Sequence, residues 1–317
     1  MEKNKKRTGS IKAILAAMLA NLGIAILKFA AWLLTGAASM LAEAVHSLAD
    51  TTNQIILLWG DRTAMKTADE KHQFGYGRTR FINAFLVALI LFSMGGLFAI
   101  YEAFHKFQEL QAGHPNELLQ SSFWWVAIVV LLGAIIMESL SLKTALKESK
   151  PYRKNVSVFR YIHESKEPEF MVVILEDLAA LIGLILALFG ISLTLITGNG
   201  IYDVIGSGLI GILLVIVAII LAVETKSLLV GEAADQETLN KIVSALKSIS
   251  VFEQIVYLKT VYIGPDELLV ATKVVIPKDI KSDEVALAIN TAEERIRELV
   301  ENAKQIYIEP DIRKQEI

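Results

Sequence analysis

The chain has 317 residues, of which 54% are hydrophobic, and a net charge of −3. That apolar share exceeds what an ordinary soluble domain carries, and the charge gives no basic surface for nucleic acid. Cysteine is absent, which excludes disulfides, thiolate metal sites and cysteine nucleophiles together.

The first 12 residues are charged and polar, and a full-length apolar block follows them. A cleaved signal peptide has instead a short apolar core and a small-residue cleavage site, so none is expected. The apolar residues gather in blocks of about 20, the length a helix needs to cross a hydrocarbon layer of roughly 30 Å. Six spans are predicted, over residues 11–34, 37–58, 81–104, 123–142, 169–190 and 204–222. Only Thr35 and Gly36 separate the first two, which makes them a tight helical hairpin.

Charge in the loops orients these spans. Lys3, Lys5, Lys6, Arg7 and Lys12 stand at the start of the chain. Arg62, Lys66, Lys71, Arg78 and Arg80 lie between spans two and three. Lys143, Lys147, Lys150, Arg153, Lys154, Arg160 and Lys166 lie between spans four and five. The alternate loops hold Lys106 alone. The positive-inside rule then puts both termini in the cytoplasm, with a bacterial inner membrane as the default and an organelle membrane as the alternative. Trp124 and Trp125 open span four on the outer side, where indole rings favour the interface.

Beyond Lys226 the chain turns charged and amphipathic. Residues 236–249 have helical periodicity, 255–263 and 268–276 read as strands, 282–303 as a long helix and 305–309 as a last strand. Gly264, Pro265, Asp266 and Glu267 give the joint between the first two strands its turn chemistry. The expected architecture is an α-helical membrane protein: a six-helix transmembrane domain over residues 1–230, then a cytoplasmic α-β-β-α-β domain over 231–317 of the ferredoxin-like or metallochaperone-like kind.

Ionisable residues inside a bilayer are costly, so each needs a reason. Span two carries Glu43, His46, Asp50 and Gln54, at spacings that keep all four on one stripe of one helix. Span five carries Glu176 and Asp177, span four Glu138, span one Asn21 and Lys28, and span three Asn83. His46 and Asp177 enter from opposite sides, yet each lies roughly 12–14 Å deep, near the midplane. An imidazole and carboxylates at one level suit a divalent metal ion; the alternative is a helix–helix hydrogen bond. Lys28 is expected to snorkel or to pair with a carboxylate. Glu138 lines a cavity or makes a structural hydrogen bond, and Gln54 reads as a helix–helix contact.

The segment Ser39-Met-Leu-Ala-Glu-Ala-Val-His-Ser-Leu-Ala-Asp50 resembles the second span of the cation diffusion facilitator family, with its His/Asp-x-x-x-Asp pair. His72-Gln-Phe-Gly-Tyr-Gly-Arg78 resembles the family's loop before span three, and Ile306-Tyr-Ile-Glu-Pro310 the last strand of its cytoplasmic domain. The resemblance covers essentially the whole chain. It implies a homodimer that exports Zn²⁺ against protons, with Mn²⁺, Fe²⁺, Co²⁺ or Cd²⁺ as the substrate in some branches. It also implies that His46, Asp50 and Asp177 are metal ligands.

Four departures qualify this. Family members usually carry His or Asp four residues before the fifth-span aspartate; Val173 stands there and binds no metal. Glu176 sits instead beside Asp177, in a Leu-Glu-Asp segment similar to that of the mitochondrial zinc transporter branch. It is the fourth candidate ligand, although on an ideal helix it points about 100° away from Asp177. Arg80 replaces an acidic residue, and Asp69 with His72 matches a second loop metal site only in part. The residues after 231 contain no histidine, so the regulatory metal sites of that domain are expected to be missing. Two other functions fit a buried metal: a membrane sensor or scaffold that does not transport, and a membrane hydrolase with Glu176 as base. No substrate-pocket signature supports the hydrolase, so no enzyme is expected.

Overall fold

A computed structural model describes residues 2–150 and 157–312, without the side chains of 2–17, 20, 159 and 164. Lys3, Lys5, Lys6, Arg7 and Lys12 have no described side chains, and Arg153 and Lys154 lie outside the described residues. The chain divides into two compact units.

The first unit holds the residues up to Gly60 and Asn83–Thr225. Its opening helices, α1 (Glu2–Thr35) and α2 (Ala38–Ala64), turn at Gly36. There φ is 64°, a left-handed value that glycine takes without a Cβ clash. Ala37 precedes α2 and offers no capping oxygen. The free amides of Ala38 and Ser39 donate instead to the Asp203 carboxylate, at 2.7 and 3.2 Å, and the Ser39 hydroxyl donates to the same group. Asp203 lies in the first turn of α9 (Ile201–Val230), so α9 caps α2 across the sequence.

Between them run α3 (Thr79–Ile90), a π-helical segment (Leu91–Leu97) and α4 (Phe98–Gln111), continuous as one rod. This rod meets α9 almost backbone to backbone: a Cβ on Gly96 would lie 2.6 Å from Val215 Cγ2, and one on Gly211 2.7 Å from Ile100 Cγ1. The short α5 (Glu117–Gln120) leads to α6 (Trp124–Glu148), then α7 (Val158–Glu164) and α8 (Pro168–Thr197). Proline opens α8, where its missing N–H costs nothing, and Gly198 ends it at a φ of 70°. Helix α6 packs against α8 and α1. Met40, Leu91, Leu131, Met171, Leu184 and Leu214 are fully buried in the shared core.

Among the described residues, four helices are long and apolar enough to cross a membrane: Thr79–Gln111, Trp124–Glu148, Pro168–Thr197 and Ile201–Val230. They correspond to the predicted spans three to six, span four starting one residue later than expected. Helix α2 is not among them because its polar stripe dilutes its hydropathy, and the described apolar part of α1 is Asn21–Thr35.

The second unit holds Asp61–Ile82 and the residues from Lys226 onward. Helix α10 (Gln236–Lys247) is capped by Asp235, which accepts from the Thr238 amide at 2.7 Å. Strands β1 (Gln254–Gly264) and β2 (Glu267–Val275) form an antiparallel hairpin about Pro265 and Asp266. After α11 (Ser282–Leu299), β3 (Ala303–Asp311) returns parallel to β2, giving the order β1-β2-β3. Leu268, Val270 and Val274 alternate onto one face of β2 and share a core with Ile242 and Leu246 of α10 and Ala292 and Ile296 of α11. The observed order is the expected α-β-β-α-β, except that the last helix stops at Leu299 instead of 303, because Val300 leaves helical geometry.

The sheet unit also takes in residues before 231. Phe81 and Leu228 are buried in the core of the sheet unit, and their burial draws the 61–82 segment and the end of α9 into it. A Cβ on Gly77 would lie 2.9 Å from the Ile263 carbonyl oxygen, so this segment also sits tightly on the β1–β2 turn. Phe81→Ala is therefore expected to destabilise the sheet unit by about 3–5 kcal/mol, read as a lowered unfolding midpoint. A span-end phenylalanine facing lipid would cost almost nothing.

Candidate metal site

The polar stripe of α2 faces the interior of the first unit. Glu43, His46 and Asn53 are fully buried and Asp50 nearly so. The His46 Nδ1 stands 3.5 Å from the Asp50 Oδ1, one helical turn away. Both ring nitrogens of His46 and the Asp50 Oδ1 are buried without a hydrogen-bond partner. Buried nitrogen and oxygen atoms are normally satisfied, so three orphans on one stripe mark a place where a further group belongs.

Helix α8 brings its two acids to different neighbours. Glu176 is buried and accepts a short hydrogen bond from the Asn53 side-chain amide of α2. Asp177 is partly exposed and accepts from the Ser141 hydroxyl of α6 at 2.8 Å. Thus the residue that ideal helix geometry turned away from the site is the one linked to α2, and the aspartate is directed at α6. The charges of Glu176, Glu138 and Asp177 all act on Asp50, so the four carboxylates form one electrostatic group. As placed, the acids and the imidazole do not close into a cage: among the described residues no three His, Asp or Glu side chains stand together as a metal-holding group.

Lys28 settles on a carboxylate, one of its two expected fates. Its ammonium lies 3.0 Å from Glu43 and 2.7 Å from the Ser47 hydroxyl, wholly buried. Glu138 is buried on α6. The Gln54 Oε1 is buried without a partner, so the expected helix–helix bond through that oxygen is not made. In the second unit, Asp69 accepts from the Tyr76 hydroxyl at 2.5 Å and from the His72 amide at 2.6 Å. These bonds, Tyr76 first, hold its carboxyl below the ordinary aspartate range. Asp69 thereby staples its own loop.

Two contributors were missed in the sequence. Asn53 lies three residues after Asp50, the spacing that also links Glu43 to His46, but Gln54 at a spacing of four drew the reading instead. Asp203 had a signal in the uncapped start of α2, whose orphan amides required an acceptor from elsewhere.

Long apolar helices enclosing an imidazole, several carboxylates and a lysine define a helical membrane protein with ionisable groups in its interior. The chain belongs to the cation efflux family, whose transmembrane domain matches residues 14–230. It is 34% identical over 242 residues to the mitochondrial proton-coupled zinc antiporter SLC30A9 of Mus musculus, a match covering 76% of this chain and 41% of that one. It is 31% identical over 258 residues to metal tolerance protein C4 of Arabidopsis thaliana, covering 81% and 55%. An uncharacterized transporter of Methanocaldococcus jannaschii is 23% identical over 301 residues, 95% of this chain and 98% of that one. The matched part is thus about two fifths of the length of the mouse relative.

Proposed function

We propose that the protein exports divalent transition-metal ions, zinc first, in exchange for protons, and that His46, Asp50, Glu176 and Asp177 carry the ion. The observation that carries this reading is the row of buried, unpartnered ligand atoms on α2, the helix to which Glu176 of α8 is hydrogen-bonded through Asn53. Two relatives with this substrate in their names, the mouse protein and its human counterpart, support it. An oxygen-rich set with one imidazole suits zinc and also accepts Mn²⁺, Fe²⁺, Co²⁺ or Cd²⁺.

The mechanism follows from ligand chemistry. A metal ion binds neutral imidazole and ionised carboxylate, so protons and metal compete for the same atoms. Facing the loading side, the four residues give up protons and take the ion. Facing the other side, they take protons and give it up. Closing the set requires α2 and α8 to move so that Glu176 leaves the Asn53 amide and turns onto the ion beside Asp50. Rocking of the helices supplies that movement and alternating access with it. Six spans, with α1 and α2 as the first two, complete the membrane domain of a homodimer. Both termini face the cytoplasm of a bacterial inner membrane or the equivalent side of an organelle.

Topology is tested with single cysteines, which report cleanly in a chain that has none. Ala112→Cys and Glu70→Cys are expected to react with an impermeant maleimide from opposite sides, Ala112→Cys from outside intact cells. External labelling of Glu70→Cys would reverse the orientation. The function itself is tested by loading the full-length protein into proteoliposomes with a panel of metals, zinc being expected to move fastest. Tight zinc binding without flux would favour a sensor.

A further inference from the structure

The ligand set leaves one buried pair without a task. Lys28 of α1 is fully buried, and its ammonium bridges Glu43 and Ser47 of α2. Glu43 is fully buried as well, and its Oε1 has no hydrogen-bond partner. That oxygen is aimed at α8: a Cβ on Gly183 would lie 2.5 Å from it, so the glycine leaves the carboxylate room there. Glu43 stands one turn from His46 toward the Gly36 hairpin, in line with His46 and Asp50. The charge of Lys28 reaches His46, Asp50 and Glu138 as well as Glu43.

A pair kept only for stability is a poor choice here. Burying two ions costs several interactions with water, and an apolar pair of equal volume generally does as well. The pair is also incompletely satisfied on the side that faces α8. A carboxylate with one oxygen held by a tethered cation and the other left open is suited to exchange one cation for another.

We propose that Glu43 is a second, transient station for the metal ion on the hairpin side of His46, and that Lys28 is its resident counter-cation. Without metal the ammonium occupies Glu43. When the ion moves from His46 and Asp50 toward the hairpin, it takes the open oxygen of Glu43 and the ammonium is displaced onto Ser47. Two cations on one buried carboxylate repel strongly, so the return of Lys28 drives the ion onward. Lys28 stays an ammonium throughout, and no bond to hydrogen breaks. Lys28 thus keeps the exit from holding the ion too tightly. The inference rests on the transport reading given above.

The test compares zinc affinity of the detergent-solubilised full chain with initial zinc flux in proteoliposomes, for wild type, Lys28→Gln, Lys28→Arg and the double variant Lys28→Gln/Glu43→Gln. Lys28→Gln is expected to bind zinc about tenfold more tightly and to turn over about tenfold more slowly, since release is then limiting. Lys28→Arg keeps the charge and is expected to retain most of the flux. The double variant buries no lone charge, so it decides the matter even if Lys28→Gln does not fold. It is expected to fold, to bind zinc with wild-type affinity and still to turn over about tenfold more slowly. A double variant with wild-type flux would make the pair purely structural and overturn the proposal, as would unchanged affinity in a folded Lys28→Gln protein. Wild-type vesicles that move no zinc would remove the transport reading and this inference with it.

Discussion

Asp50→Ala and His46→Ala are each expected to lower zinc flux at least about 100-fold, since the loss of a ligand exceeds the 10–100-fold usual for a group behind one. The membrane fold is expected to survive both changes. The Asp50 Oδ1 and both His46 nitrogens have no hydrogen-bond partner, so truncation breaks no hydrogen bond at those atoms. The deletions leave space beside other polar groups, with the Glu176–Asn53 link intact. Flux in reconstituted vesicles, normalised to folded protein by size-exclusion profile, is the measurement. Wild-type flux in both variants would dismiss the α2 stripe as the ion path.

Glu176→Gln is expected to weaken zinc binding about 10–100-fold and to lower the number of protons released per ion bound. The substitution keeps shape and can still accept from Asn53 through its amide oxygen, so helix packing is preserved while the charge is lost. Calorimetry in two buffers of different ionisation enthalpy counts the protons directly. Asp177→Asn separates the two acids of α8. If Asp177 binds the ion as the family resemblance implies, its loss is at least as severe as that of Glu176. A mild effect at Asp177 with a severe one at Glu176 would make the residue linked to α2 the principal α8 ligand and Asp177 an outer carboxylate bonded to α6. Unchanged affinity and proton count in Glu176→Gln would assign that residue to packing.

Much of this was legible in the residues because a bilayer imposes long apolar runs and punishes every charge inside them. Spans three to six follow from hydropathy alone, and the α-β-β-α-β order from periodicity and turn chemistry. Span two is predicted over residues 37–58, yet α2 is not among the described helices apolar enough to cross a membrane, because the polar stripe that carries the proposed site lowers its apolar average. The burial of Phe81 was hidden because an aromatic at the start of a span looks the same whether it meets lipid or a neighbouring core. The π-helical segment has no periodicity signal that separates it from the helices on either side. Glu176 shows the limit of ideal geometry most clearly. A step of 100° per residue turned it away from Asp177, and that was right, since the two acids do face different helices. What the step did not tell was which of the two directions is occupied by α2. That depends on how α6 and α8 pack, a relation between elements distant in sequence.

The central claim is that a buried group of His46, Asp50, Glu176 and Asp177 exchanges metal ions for protons across the membrane. It is tested most directly by recording zinc and proton movements together in proteoliposomes that contain the full-length protein, with a zinc dye and a pH dye in the same vesicles. The expected result is zinc uptake accompanied by proton flux in the opposite direction, driven faster by an imposed pH gradient and abolished in both channels by Asp50→Ala. Zinc uptake that ignores the pH gradient, or that persists in Asp50→Ala, would contradict it.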